Sequence, residues 1–184
     1  MLNPIVNKVT INCLSLLFLS SIFTPQAEAG RYVFDQTPQT IQRYFGRPLR
    51  SSTENLGDKE YKLYTYSSAR LHTVLPKLPK KAELQIAFFK NRAKIIILNS
   101  NAGSDTQSFQ YGQPEAVKFY NYIFGYKPSI WQPIPLPNGG GGHEGFLESA
   151  YCLGDGVRNY FLSYMLGEDN IRLYYDPTCE QQSK

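Results

Sequence analysis

Residues 138 to 146 read Asn-Gly-Gly-Gly-Gly-His-Glu-Gly-Phe, and they hold the densest group of chemistry-bearing residues in the chain. Three reactions can be asked of them. A phosphate cradle needs glycine amides turned toward the anion and a Gly-Lys-Ser/Thr ending that opens a helix; here no lysine follows Gly142, and the residues beyond have the pattern of a strand. An esterase oxyanion loop sets its histidine before the glycines and needs a Gly-x-Ser-x-Gly elbow elsewhere, which the chain lacks. Zinc needs three or four ligands at fixed spacing. His143, Glu144 and Glu148 have no second histidine or free cysteine near them in sequence, His72 being the other histidine, so no metal and no cofactor is expected. Cys152 with His143 as its base would make a nucleophile, but a bridge from Cys152 to Cys179 removes the thiolate that such chemistry uses. Among Asp35, Glu144, Glu148 and Asp155 nothing singles out a glycosidase pair, whose separation is set by the fold. The glycine run follows Ile134-Pro135-Leu136-Pro137 and reads as a flexible connector. The chain is read as a non-enzyme.

Tyrosine carries more information than histidine here. Strand alternation places Lys62, Tyr64 and Tyr66 on one face of one strand, Arg158, Tyr160 and Tyr164 on one face of another, and Arg172 with Tyr174 on one face of a third. Tyrosine and arginine are enriched in binding hot spots, because a rigid ring with a polar tip buries area at small entropic cost. These eight residues are the candidate partner-binding set. Alternation fixes the period but not the side. With Leu162 and Leu166 on the face of Tyr160, the same pattern also fits a helix-packed core with hydroxyls at its rim.

The elements that would position these residues come in two similar series. Thr37-Pro38 through Phe45-Gly46 and Gln113-Pro114 through Phe124-Gly125 each open with proline at a first helical position and close on glycine, the usual signals for the two ends of a helix. Their apolar stripes are Ile41, Tyr44 and Phe45 in one, and Val117, Tyr120, Ile123 and Phe124 in the other. Three strands are expected after each: Tyr61 to Tyr66, Glu83 to Phe89 and Ala93 to Leu98 in the first half, then Phe146 to Leu153, Val157 to Leu166 and Ile171 to Tyr175 in the second. Gly46 and Gly125 are 79 apart, and the turn residues Asn91 and Glu168 are 77 apart. A period near 77 with the same order of elements predicts an internal duplication, residues 35–100 and 111–179.

On Tyr44-Phe45-Gly46-Arg47-Pro48, on Tyr64 and Tyr66, and on the hairpin Phe88-Phe89-Lys90-Asn91-Arg92-Ala93, the chain resembles the tandem helix-plus-three-strand repeats of the β-lactamase-inhibitory proteins. It resembles in the same way the single unit of the SmpA/OmlA small outer-membrane lipoproteins. The resemblance covers roughly Asp35 to Asp176. It implies an α+β fold, two α-β-β-β repeats forming a curved antiparallel sheet with helices packed on one face. It also implies a binding protein that presents a concave sheet to another protein. The chain departs from the lipoproteins in having no cysteine at the start of the mature sequence.

That start is read at Gly30. Lys8, a mostly apolar run from Val9 to Phe23 and the small residues Ala27 and Ala29 have the layout of a cleaved export signal, and the run is shorter than the roughly 20 apolar residues that span a bilayer. The expectation is a signal peptide over 1–29 and one secreted or periplasmic domain over 30–184. A chain of about 155 residues buries roughly 68–70% of its unfolded surface and needs no metal to hold it. The net charge of +4 is unchanged by removing the leader and is too small to argue for nucleic acid. In an oxidising compartment Cys152 and Cys179 are expected to pair. The basic loops Pro76 to Lys81 and Lys90 to Lys94 can meet an acidic partner or anionic head groups at a membrane surface, but the reading preferred for them is protection of a sheet edge. The expected partner is a protein in the envelope or outside the cell, with a glycan or small molecule as the alternative and a hydrolase third.

Overall fold

The computed structural model describes residues 32–56, 58–100, 111–135, 146–164 and 170–180. The expected leader, the glycine run with His143 and Glu144, and the side chains of Glu148 and Tyr164 lie outside the described residues.

Local chemistry builds the helices as expected. In α1 (Pro38–Phe45) the Thr37 hydroxyl accepts from the Thr40 amide at 3.4 Å, proline sits in the first turn, and Gly46 ends the helix at φ 84° with its amide on the Gln42 carbonyl. In α3 (Gln113–Phe124) Glu115 reaches back to the Gly112 amide at 3.0 Å, and Gly125 stops the helix in the left-handed region, where glycine carries no steric penalty. Ala116, Phe119, Tyr120, Ile123 and Phe124 are its buried residues, a spacing that lays one stripe on the sheet. Each fully buried phenylalanine there contributes about 1.5–3 kcal/mol. Between α1 and α3 in the chain lies α2 (Leu71–Val74), one short turn anchored by Leu71.

The strands are β1 (Arg50–Leu56), β2 (Lys59–Tyr66), β3 (Glu83–Phe89), β4 (Arg92–Asn99), β5 (Gln132–Ile134), β6 (Phe146–Gly154), β7 (Val157–Tyr164) and β8 (Asn170–Tyr175), followed by a 3₁₀ turn, Pro177–Cys179. All eight join one antiparallel sheet in the order β1-β2-β3-β4-β8-β7-β6-β5. Two tight hairpins use two residues each at positive φ, Lys90 and Asn91 between β3 and β4, Asp155 and Gly156 between β6 and β7. That geometry matches the twist of the flanking strands.

Six of these strands are the expected ones. The other two, β1 and β5, are the sheet edges, and both have edge chemistry: Arg-Ser-Ser-Thr-Glu-Asn-Leu is polar and largely exposed, and Gln-Pro-Ile carries a proline that cannot donate to a further strand. This corrects the reading of the basic loops as edge protection. Residues 76–81 precede β3, and 90–94 span the turn into β4 and its first residues; both strands are interior. Lys94 pairs instead with Asp35, and Arg92 donates to the Asp35 carbonyl at 3.0 Å, tying the segment before α1 to the sheet.

The main core lies between the helices and one sheet face. Ile41, Phe119 and Phe124 meet Leu84, Ile86, Ile96, Leu98 and Leu173 there. A second, smaller cluster on the opposite face contains Leu63, Ala87, Ile95 and Ile97, with Leu56, Tyr61 and Tyr174 packed against it. Among the described residues no α-helical residue belongs to it.

Candidate partner-binding face

The eight binding candidates separate onto opposite faces. Tyr66 is 1% exposed inside the helix-packed core, its hydroxyl without a hydrogen-bond partner, and burial raises its pKa well above the ordinary tyrosine value. Tyr64 packs edge-on against Phe88 at 5.1 Å on that same side. Lys62 is exposed, with its ammonium 5.2 Å from the Tyr64 ring. Arg158, Tyr160, Arg172 and Tyr174 stand on the helix-free face. Tyr164 faces Phe146 in register across β6 and β7.

On the helix-free face, strand register makes an alternating square. Arg158 lies across from Tyr174, and Tyr160 across from Arg172. One diagonal of the square is a ring contact, Tyr160 against Tyr174 at 5.4 Å and 75°. Arg158 donates to the Tyr160 hydroxyl at 3.2 Å with its guanidinium 5.9 Å from the ring centre. The apolar neighbours follow along the same rows: Ile95 beside Tyr174 and Ile97 beside Arg172, then Ala87 and Gln85 on β3. Burial raises the Tyr174 phenol, the Arg172 guanidinium pulls it back, and Tyr160 and Tyr61 add to the rise.

The charges on this face are unevenly satisfied. Arg50, at the β1 end, grips both carboxylate oxygens of Glu83 at 2.7 and 2.6 Å, and Gln85 donates to the same group. Arg158 is paired with Asp176. Burial pushes the Asp176 carboxyl up, but hydrogen bonds from the Thr178 hydroxyl and amide together with Arg158 outweigh it, so its pKa lies below the ordinary carboxylate value. The disulfide Cys152–Cys179 holds the 3₁₀ turn against β6 and thereby delivers Asp176 to Arg158. Among the described residues Arg172 meets no carboxylate, and its Nε is buried without an acceptor. Two positions along β8 on the same face, the Asn170 side-chain oxygen is buried without a donor. The Nε of Arg158 is likewise buried without an acceptor. Buried polar groups are normally satisfied, so these open donors and the open acceptor on Asn170 are the unused polar capacity of this face.

No family model, curated protein or solved structure matches this chain.

Among the described residues no three metal-ligating side chains converge, and no helix is long and apolar enough to cross a membrane. Sequence reasoning missed Ile95, Ile97, Leu63 and Asn170 as parts of the face. Its one usable signal was the unbroken run Ile95-Ile96-Ile97-Leu98, since a strand that is apolar at every position presents hydrocarbon to both sides.

Proposed function

We propose that the chain is a non-catalytic, extracytoplasmic binding protein that acts at the cell envelope by seating an acidic segment of a partner protein on the helix-free face. The observation that carries this reading is Arg172, a guanidinium that meets no carboxylate among the described residues, framed by Tyr160, Tyr174 and Ile97 on a face to which no described helix contributes. A carboxylate from the partner would complete the charge pattern that Glu83 and Asp176 complete for Arg50 and Arg158. An arginine-carboxylate pair beside rings and hydrocarbon is favourable because the planar fork accepts two bonds while its surroundings exclude water.

The finer architecture belongs to the same proposal. Counted inward from either edge, the strands run β1 to β4 and β5 to β8, each set preceded by a helix, and the last strands of both sets meet as β4 and β8. This order supports a duplicated unit like that of the β-lactamase-inhibitory proteins, here with a helix and four strands per copy. The apolar leader with Ala27 and Ala29 supports export. The disulfide is consistent with an oxidising compartment.

The test is a photoactivatable phenylalanine at Tyr160 and, separately, at the exposed Lys118 on α3. Irradiation in intact envelopes should trap a partner from position 160 and none from 118. Trapping from 118 with none from 160 would place recognition on the helix side and end the proposal.

A further inference from the structure

On the other side of the sheet, a cavity of about 350 Å³ opens between the end of α1, the segment after β2 and the α3 residue Tyr122. Its size falls in the roughly 300–1,000 Å³ of small-molecule sites. Phe45 and Tyr122 form its apolar part, their rings 6.1 Å apart at 36°, and Phe45 rests in turn on buried Tyr66. Gln42, Ser67, Arg43 and Arg70 supply its polar part. Ser67 accepts from the Ala69 amide at 3.3 Å, which leaves its hydroxyl hydrogen able to donate into the cavity.

Among the described residues no aspartate or glutamate lines this space, and neither Arg43 nor Arg70 pairs with a carboxylate. Arg43 alone would be unremarkable, since a cation in the last turn complements the negative end of a helix. Arg70 has no such explanation. It stands at the start of α2, where a cation gains nothing from the helix, and it comes from a different element. Two cations brought to one cavity without a counter-charge repel each other, and an anion between them reverses the sign of that interaction.

We propose that this cavity binds a small organic anion, a phosphate or carboxylate head held by Arg43, Arg70 and Ser67 with a flat apolar body against Phe45 and Tyr122. The site is independent of the helix-free face, so either can fail without the other.

The experiment titrates phenyl phosphate, benzoate, inorganic phosphate and phenol into the purified full chain, followed by NMR of the Phe45 and Tyr122 rings. Saturable binding of an aromatic anion is expected, with phenol at least about tenfold weaker, the usual weight of a charge-assisted contact. Whether phenyl phosphate or benzoate binds more tightly identifies the head group. Arg43→Ala and Arg70→Ala should each weaken binding about tenfold on the same basis. Both side chains are exposed, and the paired Arg43→Lys and Arg70→Lys variants, which keep the charge and lose the planar fork, should bind at intermediate strength. Absence of saturation by every anion, equal binding of phenol, or binding indifferent to the arginine substitutions would each overturn the proposal.

Discussion

The two faces of this sheet are made from similar residues put to different ends. Ile96 and Ile97 are neighbours on β4, buried at 0% and 5%, yet Ile96 joins the core with Phe119 and Phe124 while Ile97 lies beside Arg172. Tyr66 and Tyr174 differ in the same way: one is sealed under helices, the other shares a square with two arginines. Burial alone therefore does not distinguish the two faces. What separates them is what lies above, hydrocarbon from helices in one case and paired or unpaired charge in the other.

The sharpest way to break this comparison is to empty each side at one strand. Ile96→Ala should cost about 2–5 kcal/mol, a cavity under the helices that cannot collapse. Ile97→Ala should cost less, about 2 kcal/mol at the low end of that range, because its cross-strand neighbours Arg172 and Gln85 are long, flexible side chains that can move into the space, whereas no such side chains flank Ile96 under the helices. Urea unfolding of both variants measures the gap, and equal losses would mean that something covers the second face.

Next in size is the bridge. Its partners are 27 residues apart, and replacing both cysteines by alanine should cost about 2–4 kcal/mol in the chain-entropy account. Because the bridge delivers Asp176, the same change should also weaken the Arg158 pair, read as a lost acid limb in the stability profile. That limb has a definite sign. The folded pKa of Asp176 lies below its unfolded value, so its contribution is complete above about pH 4 and is lost as pH falls through the folded value. Asp176→Asn should flatten this limb and remove about 1 kcal/mol at neutral pH. An unchanged acid limb would assign the charge of Arg158 elsewhere.

The smallest expected effect on stability falls on Arg172. Arg172→Ala breaks no ion pair among the described residues and should lower the unfolding free energy by less than about 1 kcal/mol, chiefly through the lost packing of its stem. A large loss would make it a structural residue.

Much of this organisation was legible in the chain. Pro38 and Pro114 marked helix starts, Gly46 and Gly125 the ends, and the inner strands stood out because inner strands are apolar. The edges β1 and β5 were invisible for the converse reason: Ser51, Ser52, Thr53 and Pro133 are the residues that keep an edge from pairing further, and they carry no strand pattern. The side of the tyrosines was beyond reach of alternation. Lys62-x-Tyr64-x-Tyr66 and Arg158-x-Tyr160 have the same period, and only the placement of helices α1 and α3 tells them apart. The cavity at Arg43 and Arg70 was hidden because its two cations lie 27 positions apart in the chain, and no local motif joins them.

The central claim is that the helix-free face recognises while the helix-packed face holds the chain together. It is tested most directly by reversing one charge, Arg172→Glu, and measuring both unfolding and photo-crosslinking from position 160. The account predicts a urea midpoint close to that of the unsubstituted chain and loss of the crosslinked partner. Undiminished crosslinking in the charge-reversed protein would contradict it.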